Sequence, residues 1–187
     1  MRCDRPAVRI AISGTHSAGK STLLEALSGA LPKYAIVEEP YHVMVEDGYE
    51  FADPPELEDF EAQIEHAIES LSDAGANTLF DRSPADFVAY IEALEHAEAF
   101  DREDWLARVS EAMQTLDLVV FVPIEAGDRT ARRNSDHDPA LRGKVDKRLR
   151  EIWVDDALGF GVEVIEVKGS IAQRAQTVIA HMRRAAT

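Results

Sequence analysis

An eight-residue stretch near the N-terminus constrains the fold more than any other feature of this sequence. It consists of Gly14, Thr15, His16, Ser17, Ala18, Gly19, Lys20 and Ser21, and it matches the pattern G-x-x-x-x-G-K-[ST] without a mismatch. An apolar run at residues 8–13 precedes it, and leucines at helical spacing follow it. Such a strand–loop–helix unit binds phosphate, because its backbone N–H groups form a concave ring at the positive end of a helix.

Side chains at the end of this phosphate-binding loop have defined expected roles. Lys20 is expected to reach the β- and γ-phosphates of a bound nucleotide, with ATP as the expected donor, and the Ser21 hydroxyl group to ligate Mg²⁺. Thr22 is expected to contact the α-phosphate. His16 occupies a variable position of the motif, where the backbone matters more than the ring, and a catalytic role for its imidazole stays open.

Short apolar runs alternate with longer helical patterns along the chain, which is typical of a parallel α/β sheet. The sequence predicts strands at residues 8–13, 34–38, 78–81, 118–122 and 162–167. Apolar residues recur at helical spacing between them, and residues 83–86 have the pattern of a helix start, with Pro84 at the first helical position. A single three-layer domain spanning residues 1–187 is therefore expected.

Composition excludes several classes of partner. The net charge is −15, which disfavours binding to nucleic acid or to anionic membranes. Cys3 is the only cysteine, so neither an internal disulfide nor a zinc site built on cysteine spacing is expected. The apolar run after the N-terminus is too short for a signal peptide or a membrane span. These features favour a cytoplasmic monomer or homodimer.

This loop occurs in three classes of protein, namely GTPases, ATP-hydrolysing motors and small-molecule kinases. A GTPase carries an Asn-Lys-x-Asp guanine-recognition motif, which this sequence lacks. An ATP-hydrolysing motor usually ends its third strand with Asp-Glu, whereas here Arg82 follows Asp81, so the carboxylate that activates water is missing. A small-molecule kinase is the remaining interpretation. The alternative is a regulatory NTPase that hydrolyses ATP under the control of a protein partner.

The chain resembles the nucleoside- and nucleotide-kinase-like P-loop proteins, and most of all ribosylnicotinamide kinase domains and bacterial AAA-like ATP-binding proteins. The resemblance lies in the loop, in Glu39-Pro40 after the second strand, in Asp81-Arg82-Ser83 after the third, and in an arginine-rich segment after the fourth. It implies a P-loop NTPase fold whose five parallel strands have the kinase order 2-3-1-4-5. It also implies a mobile arginine-rich lid at about residues 128–143, with Arg129, Arg132, Arg133 and Arg142 as candidates to close over the triphosphate.

The same resemblance assigns roles to acidic and basic residues. It makes Glu39 the base that takes the proton of the acceptor hydroxyl, with Glu38 as the substitute, and Arg82 a cation for the transferring phosphoryl group. Asp81 ends an apolar strand, where an unpaired carboxylate is costly, so a Mg²⁺ site shared with Ser21 is expected. Ser83 and Asp86 are expected to be helix caps rather than catalysts.

One stretch of the sequence bears on the acceptor. No lysine or arginine lies between Lys33 and Arg82, although acidic residues are dense there. A dianionic monophosphate would require arginine partners, so a neutral or cationic small molecule with a free hydroxyl group is favoured. The candidates to bind its ring and edge are Tyr41, Tyr49, Phe51, Phe60 and Gln63, with core packing as the alternative for the aromatic residues. Residues 168–171, after the last strand, are expected to pack against adenine.

Overall fold

The computed structural model describes residues 8–95, 98–125 and 139–185, and five short apolar runs in this part of the chain form one sheet. The strands are β1 (Arg9–Ser13), β2 (Ala35–Val37), β3 (Thr78–Asp81), β4 (Leu118–Phe121) and β5 (Val164–Glu166). The helices are α1 (Lys20–Ala30), α2 (Pro40–Glu46), α3 (Leu57–Asp73), α4 (Pro84–Ala93), α5 (Arg102–Met113), α6 (Pro139–Trp153) and α7 (Ile171–Ala185). No helix within the described ranges is both long enough and apolar enough to cross a membrane.

The sheet has the order β2-β3-β1-β4-β5, and each neighbouring pair of strands is parallel. This confirms the predicted five-stranded parallel sheet and its kinase-type order. β3 has the predicted bounds, whereas the other strands are shorter than the apolar runs that predicted them. Because parallel strands end at the same edge of a sheet, the segments that follow them meet there and form the site described below.

Two apolar clusters lie on opposite faces of the sheet and form the core. Side chains alternate between the faces along a strand, and in β1 Ala11 belongs to one cluster while Ile10 and Ile12 belong to the other. The cluster with Ala11 contains residues of α3, α4, α5 and α6. The cluster with Ile10 contains residues of α1 and α7. The predicted three-layer arrangement is therefore confirmed.

The helix α2 is not predicted by the sequence pattern. Pro40 reads as the end of the second strand, whereas in the structure it lies in the first turn of α2. Proline suits the first helical position because its fixed φ is helical and its missing N–H group has no partner there in any case. The consequence for the site is that Glu39 is the N-cap residue of this helix, between β2 and α2.

The predicted lid falls mostly outside the described residues. Arg129, Arg132 and Arg133 all lie in the segment 126–138, so their contact with a triphosphate stays a prediction. Residues 139–143 are described and form the start of α6. Arg142 in this helix is buried, and its contacts belong to the site.

Candidate active site

A cavity of about 1150 Å³ is lined by segments that follow all five strands. The phosphate-binding loop contributes its second half and the start of α1, from His16 to Thr22. Glu39 and Arg82 follow β2 and β3. An aromatic wall, defined here as Tyr41, Phe51, Phe60, Phe87 and Tyr90, forms another side. At the opposite end lie Glu125, Gly169, Ser170, Ile171 and Arg174. Of the residues predicted to bind the nucleotide, those from His16 to Thr22 line this cavity, whereas Gly14 and Thr15 do not. Glu39, Arg82 and most of the residues predicted to bind the acceptor line the same cavity.

The conformation of the loop explains its glycines. Gly14 has a φ of 151°, and a Cβ atom there would lie 2.4 Å from the carbonyl oxygen of Val122. Gly19 has a φ of 89° at the N-cap of α1. Gly14 and Thr15 do not line the cavity, and Thr15 is fully buried. The first part of the loop therefore packs against the sheet, and the rest borders the cavity.

Three arginines from different parts of the fold hold the loop by its carbonyl oxygens. Arg82 Nη1 donates to Gly14 O over 3.0 Å, and Arg174 Nη1 donates to Ala18 O over 2.9 Å. Arg142 donates twice, through Nε to His16 O (3.1 Å) and through Nη2 to Ser17 O (3.2 Å). Carbonyl oxygens bound in this way are turned toward the surrounding elements. The arginines also add positive charge beside a loop suited to anions. Arg142 is one of the candidates predicted to close over the triphosphate; in the structure it donates to the loop, and its contact with a triphosphate stays a prediction.

Lys20 is buried, with 4% of its surface exposed, and its Nζ atom donates to the carbonyl oxygen of Thr15 over 3.1 Å. Burial lowers the pKa of Lys20 to about 8, and the nearby Arg82 guanidinium acts in the same direction. The carboxylates of Glu39 and Asp81 oppose this shift. A bound polyphosphate would add negative charge beside this ammonium group and so favour its charged form.

This pKa predicts a pH dependence of nucleotide affinity. Lys20 is charged below pH 8 and loses its charge as the pH rises through that value. The affinity for magnesium AMP-PNP should therefore be constant between about pH 7 and 8 and then fall by up to about tenfold per pH unit. Titration calorimetry between pH 7 and 9.5 measures this. Lys20→Ala serves as the control, and a decline of the same steepness in that variant would show that another group is responsible.

Ser21 and Asp81 form an oxygen pair beside Lys20. The Ser21 hydroxyl group donates to Asp81 Oδ2 over 3.0 Å, whereas Asp81 Oδ1 is buried and has no hydrogen-bond partner among the described residues. Burial raises the pKa of Asp81, although Lys20 opposes the shift. No cluster of three or more histidine, cysteine, aspartate or glutamate residues suited to a metal occurs in the described ranges. The pair fits Mg²⁺, which usually takes few protein ligands and completes its shell with phosphates and water.

Glu39 and Arg82 form an ion pair that lines the cavity. Arg82 Nε lies 2.5 Å from Glu39 Oε1. The pKa of Glu39 is about 2, because the attraction of Arg82 and Lys20 outweighs the effect of burial, which alone would raise it. Burial would lower the pKa of Arg82, but Glu39 raises it above its ordinary value, so both side chains are charged. Glu38, the alternative base, is exposed and does not line the cavity.

Arg82 adopts a backbone conformation that is unusual for a residue with a side chain. Its φ is 82°, in the left-handed region that favours glycine. The guanidinium group compensates through contacts with Glu39, Gly14 O and the ring of Tyr90, whose centroid lies 5.2 Å away. Strained residues persist where surrounding contacts fix them, and they cluster at functional sites.

The predicted capping pair, Ser83 and Asp86, forms the cap of α4 and also supports the loop. Asp86 Oδ2 accepts from the backbone N and the hydroxyl group of Ser83. Asp86 Oδ1 accepts from the Ser13 hydroxyl group (2.8 Å) and from Gly14 N (3.1 Å), and Trp153 Nε1 donates to the same hydroxyl group. The spacing of Ser83 and Asp86 predicts the helix cap. The support that Asp86 gives to the loop has no signal in the sequence, because it joins residues more than 70 positions apart.

The aromatic wall contains three of the four predicted acceptor aromatics. The ring centroids of Tyr41 and Phe51 are 4.6 Å apart. Phe60 stacks on Tyr90, with centroids 5.4 Å apart and an interplanar angle of 16°. Gln63 lines the cavity and donates through Nε2 to the carbonyl oxygen of Asp59. Tyr49 does not line the cavity.

At the opposite end lies the loop after β5, which contains the segment predicted to pack against adenine. Gly169, Ser170 and Ile171 line the cavity, whereas Lys168 pairs with Glu166. Glu125 Oε1 accepts from Gly169 N (2.9 Å) and from Arg174 Nη2 (2.6 Å). Glu125 and Arg174 were not singled out from the sequence. They tie this loop to the phosphate-binding loop, because Arg174 also donates to Ala18 O.

The fold and the site define a P-loop protein with the strand order of the small-molecule kinases. The chain belongs to the AAA domain family, whose model matches residues 9–174. A comparison with curated protein sequences found no match.

Solved structures with this fold include several kinases. A deoxyadenosine kinase from M. mycoides has a TM-score of 0.68 and 16% identity, over 95% of this chain and 100% of that one. Thymidylate kinase from Candida albicans has a TM-score of 0.65 and 16% identity, over 96% and 92% of the two chains. Shikimate kinase from Acinetobacter baumannii has a TM-score of 0.60 and 16% identity, over 97% and 96%. At these identities the likeness establishes the P-loop kinase fold.

Proposed function

We propose that this protein transfers the γ-phosphoryl group of magnesium ATP to a hydroxyl group of a small nucleoside-like or aminated acceptor. The observation that carries the proposal is the position of the Glu39–Arg82 ion pair. It lines the cavity together with the phosphate-binding loop and the aromatic wall. A carboxylate and a guanidinium group in this position suit an acceptor hydroxyl and a transferring phosphoryl group, respectively.

The nucleotide would lie along the phosphate-binding loop. The N–H groups of the loop and Lys20 would bind its phosphates, and its base would lie near Gly169, Ser170 and Ile171. Ser21, supported by Asp81, would hold Mg²⁺, which when bound neutralises phosphate charge and orients the oxygens. The buried Asp81 Oδ1, which has no hydrogen-bond partner in the described part of the chain, supports this assignment.

In the proposed reaction, the acceptor oxygen forms a bond to the γ-phosphorus while the bond from that phosphorus to the β-γ bridging oxygen breaks. ADP leaves with the electrons of that bond, and the hydroxyl proton passes to a carboxylate oxygen of Glu39. A carboxylate with a pKa of about 2 is a weak base at rest. Since the transition state of phosphoryl transfer is loose, Glu39 needs only to orient the hydroxyl group and to take its proton late. Arg82 stabilises the charge on the transferring group.

The charges around the cavity support an acceptor without a phosphate. The lysine and arginine side chains that line it within the described ranges are Lys20, Arg82 and Arg174. In the proposed reaction Lys20 and Arg82 serve the phosphates of the donor, and Arg174 is bonded to Glu125 and to the loop. A second phosphate on the acceptor side would therefore lack an uncommitted cation in this part of the chain. The aromatic wall suits a flat ring, and Gln63 suits hydrogen bonding to the edge of that ring.

The experiment is a panel of acceptors in a coupled assay of ADP release. The panel contains nucleosides, ribosylnicotinamide, nucleoside monophosphates and aminoglycosides, with Lys20→Ala as the blank. Ribosylnicotinamide is included because the chain resembles kinase domains for it and because a NadR structure with NAD and AMP-PNP shares the fold (TM-score 0.61, 16% identity). We expect one neutral or cationic hydroxyl compound to raise ADP release at least about tenfold over the rate with water alone.

Two results would contradict the proposal in different ways. A nucleoside monophosphate as the best acceptor would overturn the acceptor class and leave the reaction type intact. ADP release that ignores every acceptor would favour the alternative, an NTPase controlled by a protein partner.

A further inference from the structure

One tyrosine hydroxyl group contacts both the phosphate-binding loop and Arg82, the basic member of the ion pair. The hydroxyl oxygen of Tyr90 accepts from His16 N over 2.9 Å and lies 3.1 Å from His16 Nδ1. The Nη2 atom of Arg82 donates to it over 3.5 Å, and Thr15 Oγ1 also lies 3.5 Å away. Tyr90 is a residue of α4, so these contacts join α4 and the preceding Arg82 to the phosphate-binding loop at one oxygen atom.

The direction of the hydrogen bonds follows from the groups involved. The backbone N–H of His16 and the guanidinium group of Arg82 can only donate, so the oxygen of Tyr90 accepts from both. The single proton of the phenol is then left for His16 Nδ1 or Thr15 Oγ1, and Nδ1 is the nearer. The hydroxyl group thus fixes the backbone of His16, the ring of His16 and the guanidinium group of Arg82 relative to one another.

The other end of Tyr90 belongs to the acceptor side. Its ring stacks on Phe60 at an angle of 16°, and both rings line the cavity. The Arg82 guanidinium group also lies over the Tyr90 ring. An acceptor that packs against Phe60 therefore rests on the same aromatic pair whose hydroxyl group holds the loop.

We infer that the Tyr90 hydroxyl group is a positioning group, which aligns Arg82 and the His16 segment of the loop with the acceptor held against the Phe60–Tyr90 ring pair. This inference rests on the proposed phosphoryl transfer. The inference assigns different roles to the two parts of the Tyr90 side chain. The ring contributes to binding of the acceptor, and the hydroxyl group contributes to the rate of transfer.

Tyr90→Phe removes the hydroxyl group and keeps the ring. We expect kcat to fall about tenfold or more, because His16 N–H and Arg82 lose a buried partner, while KM for the acceptor changes less than about twofold. Phe60→Leu should show the opposite pattern, a raised KM with little change in kcat. Tyr34→Phe is the matched control, since Tyr34 lies outside the cavity, and it should behave like the wild type.

Both kinetic constants are measured with the acceptor found in the panel, alongside affinity for magnesium AMP-PNP and the thermal midpoint. An unchanged kcat in Tyr90→Phe would overturn the inference. If a loss of AMP-PNP affinity accounts for the whole decrease in rate, the role of the hydroxyl group is only structural. The same holds if the thermal midpoint drops without a specific loss of kcat. If the wild type hydrolyses ATP without any acceptor, the proposed function fails. The wild type and Tyr90→Phe are then compared in their rates of ATP hydrolysis, and Tyr90→Phe should again lower kcat about tenfold. If the wild type shows neither activity, both proposals fail.

Discussion

Replacing Lys20 with alanine is expected to lower the rate of ADP formation by about 100- to 1000-fold. Lys20 is buried at the start of α1, and its ammonium group lies near the carboxylates of Glu39 and Asp81. Its bond to Thr15 O turns the ammonium group toward the inside of the loop, where the β- and γ-phosphates are expected. Lys20 is the only lysine that lines the cavity within the described residues, so no other ammonium group there can take over this role.

A steady-state assay of ADP release at pH 7.5 checks this, below the pKa of about 8 so that the wild-type lysine is charged. Lys33→Ala is the matched control, because Lys33 is an exposed lysine outside the cavity, and it should leave the rate unchanged. Circular dichroism reports whether Lys20→Ala remains folded. A folded Lys20→Ala protein with wild-type turnover would contradict the assignment.

Replacing Glu39 with glutamine is expected to lower kcat for transfer to the acceptor by about 100-fold, with retention of magnesium AMP-PNP binding. The amide has the shape of the carboxylate, but it cannot accept the proton of the acceptor hydroxyl group. It also carries no negative charge to balance that of Arg82. Glu39 lies outside the phosphate-binding loop, as the N-cap residue of α2, so the loop itself is left intact. The loss should therefore appear in kcat rather than in nucleotide affinity.

Glu38→Gln provides the matched control for this variant. Glu38 is the neighbouring glutamate, exposed and outside the cavity, and its replacement should change kcat by less than about twofold. Equal losses in the two variants would point to a general effect of charge. A larger loss in Glu38→Gln would assign the base to Glu38.

The features that sequence reasoning predicted are those written in local patterns. The phosphate-binding loop lies within eight consecutive residues, and the capping box of α4 lies within four. The strands follow from apolar runs, and the strand order follows from the resemblance that the loop and the residues after β2 and β3 carry. These features depend on neighbours in the chain, so spacing alone is enough to find them.

The features that sequence reasoning missed join distant segments. Arg174 reaches Ala18 O across 156 positions, and Trp153 reaches Ser13 across 140. An arginine on an amphipathic helix gives no signal that its side chain turns inward to hold a backbone carbonyl. α2 was missed for a different reason, because Pro40 is equally compatible with the end of a strand and with the first turn of a helix.

Titration calorimetry with AMP-PNP tests most directly whether this loop binds a nucleoside triphosphate together with Mg²⁺. The structure predicts one binding site per chain, weakened at least about tenfold when EDTA replaces Mg²⁺ and again at least about tenfold in Lys20→Ala. A folded wild-type protein that binds neither adenine nor guanine triphosphates in the presence of Mg²⁺ would contradict this role of the loop.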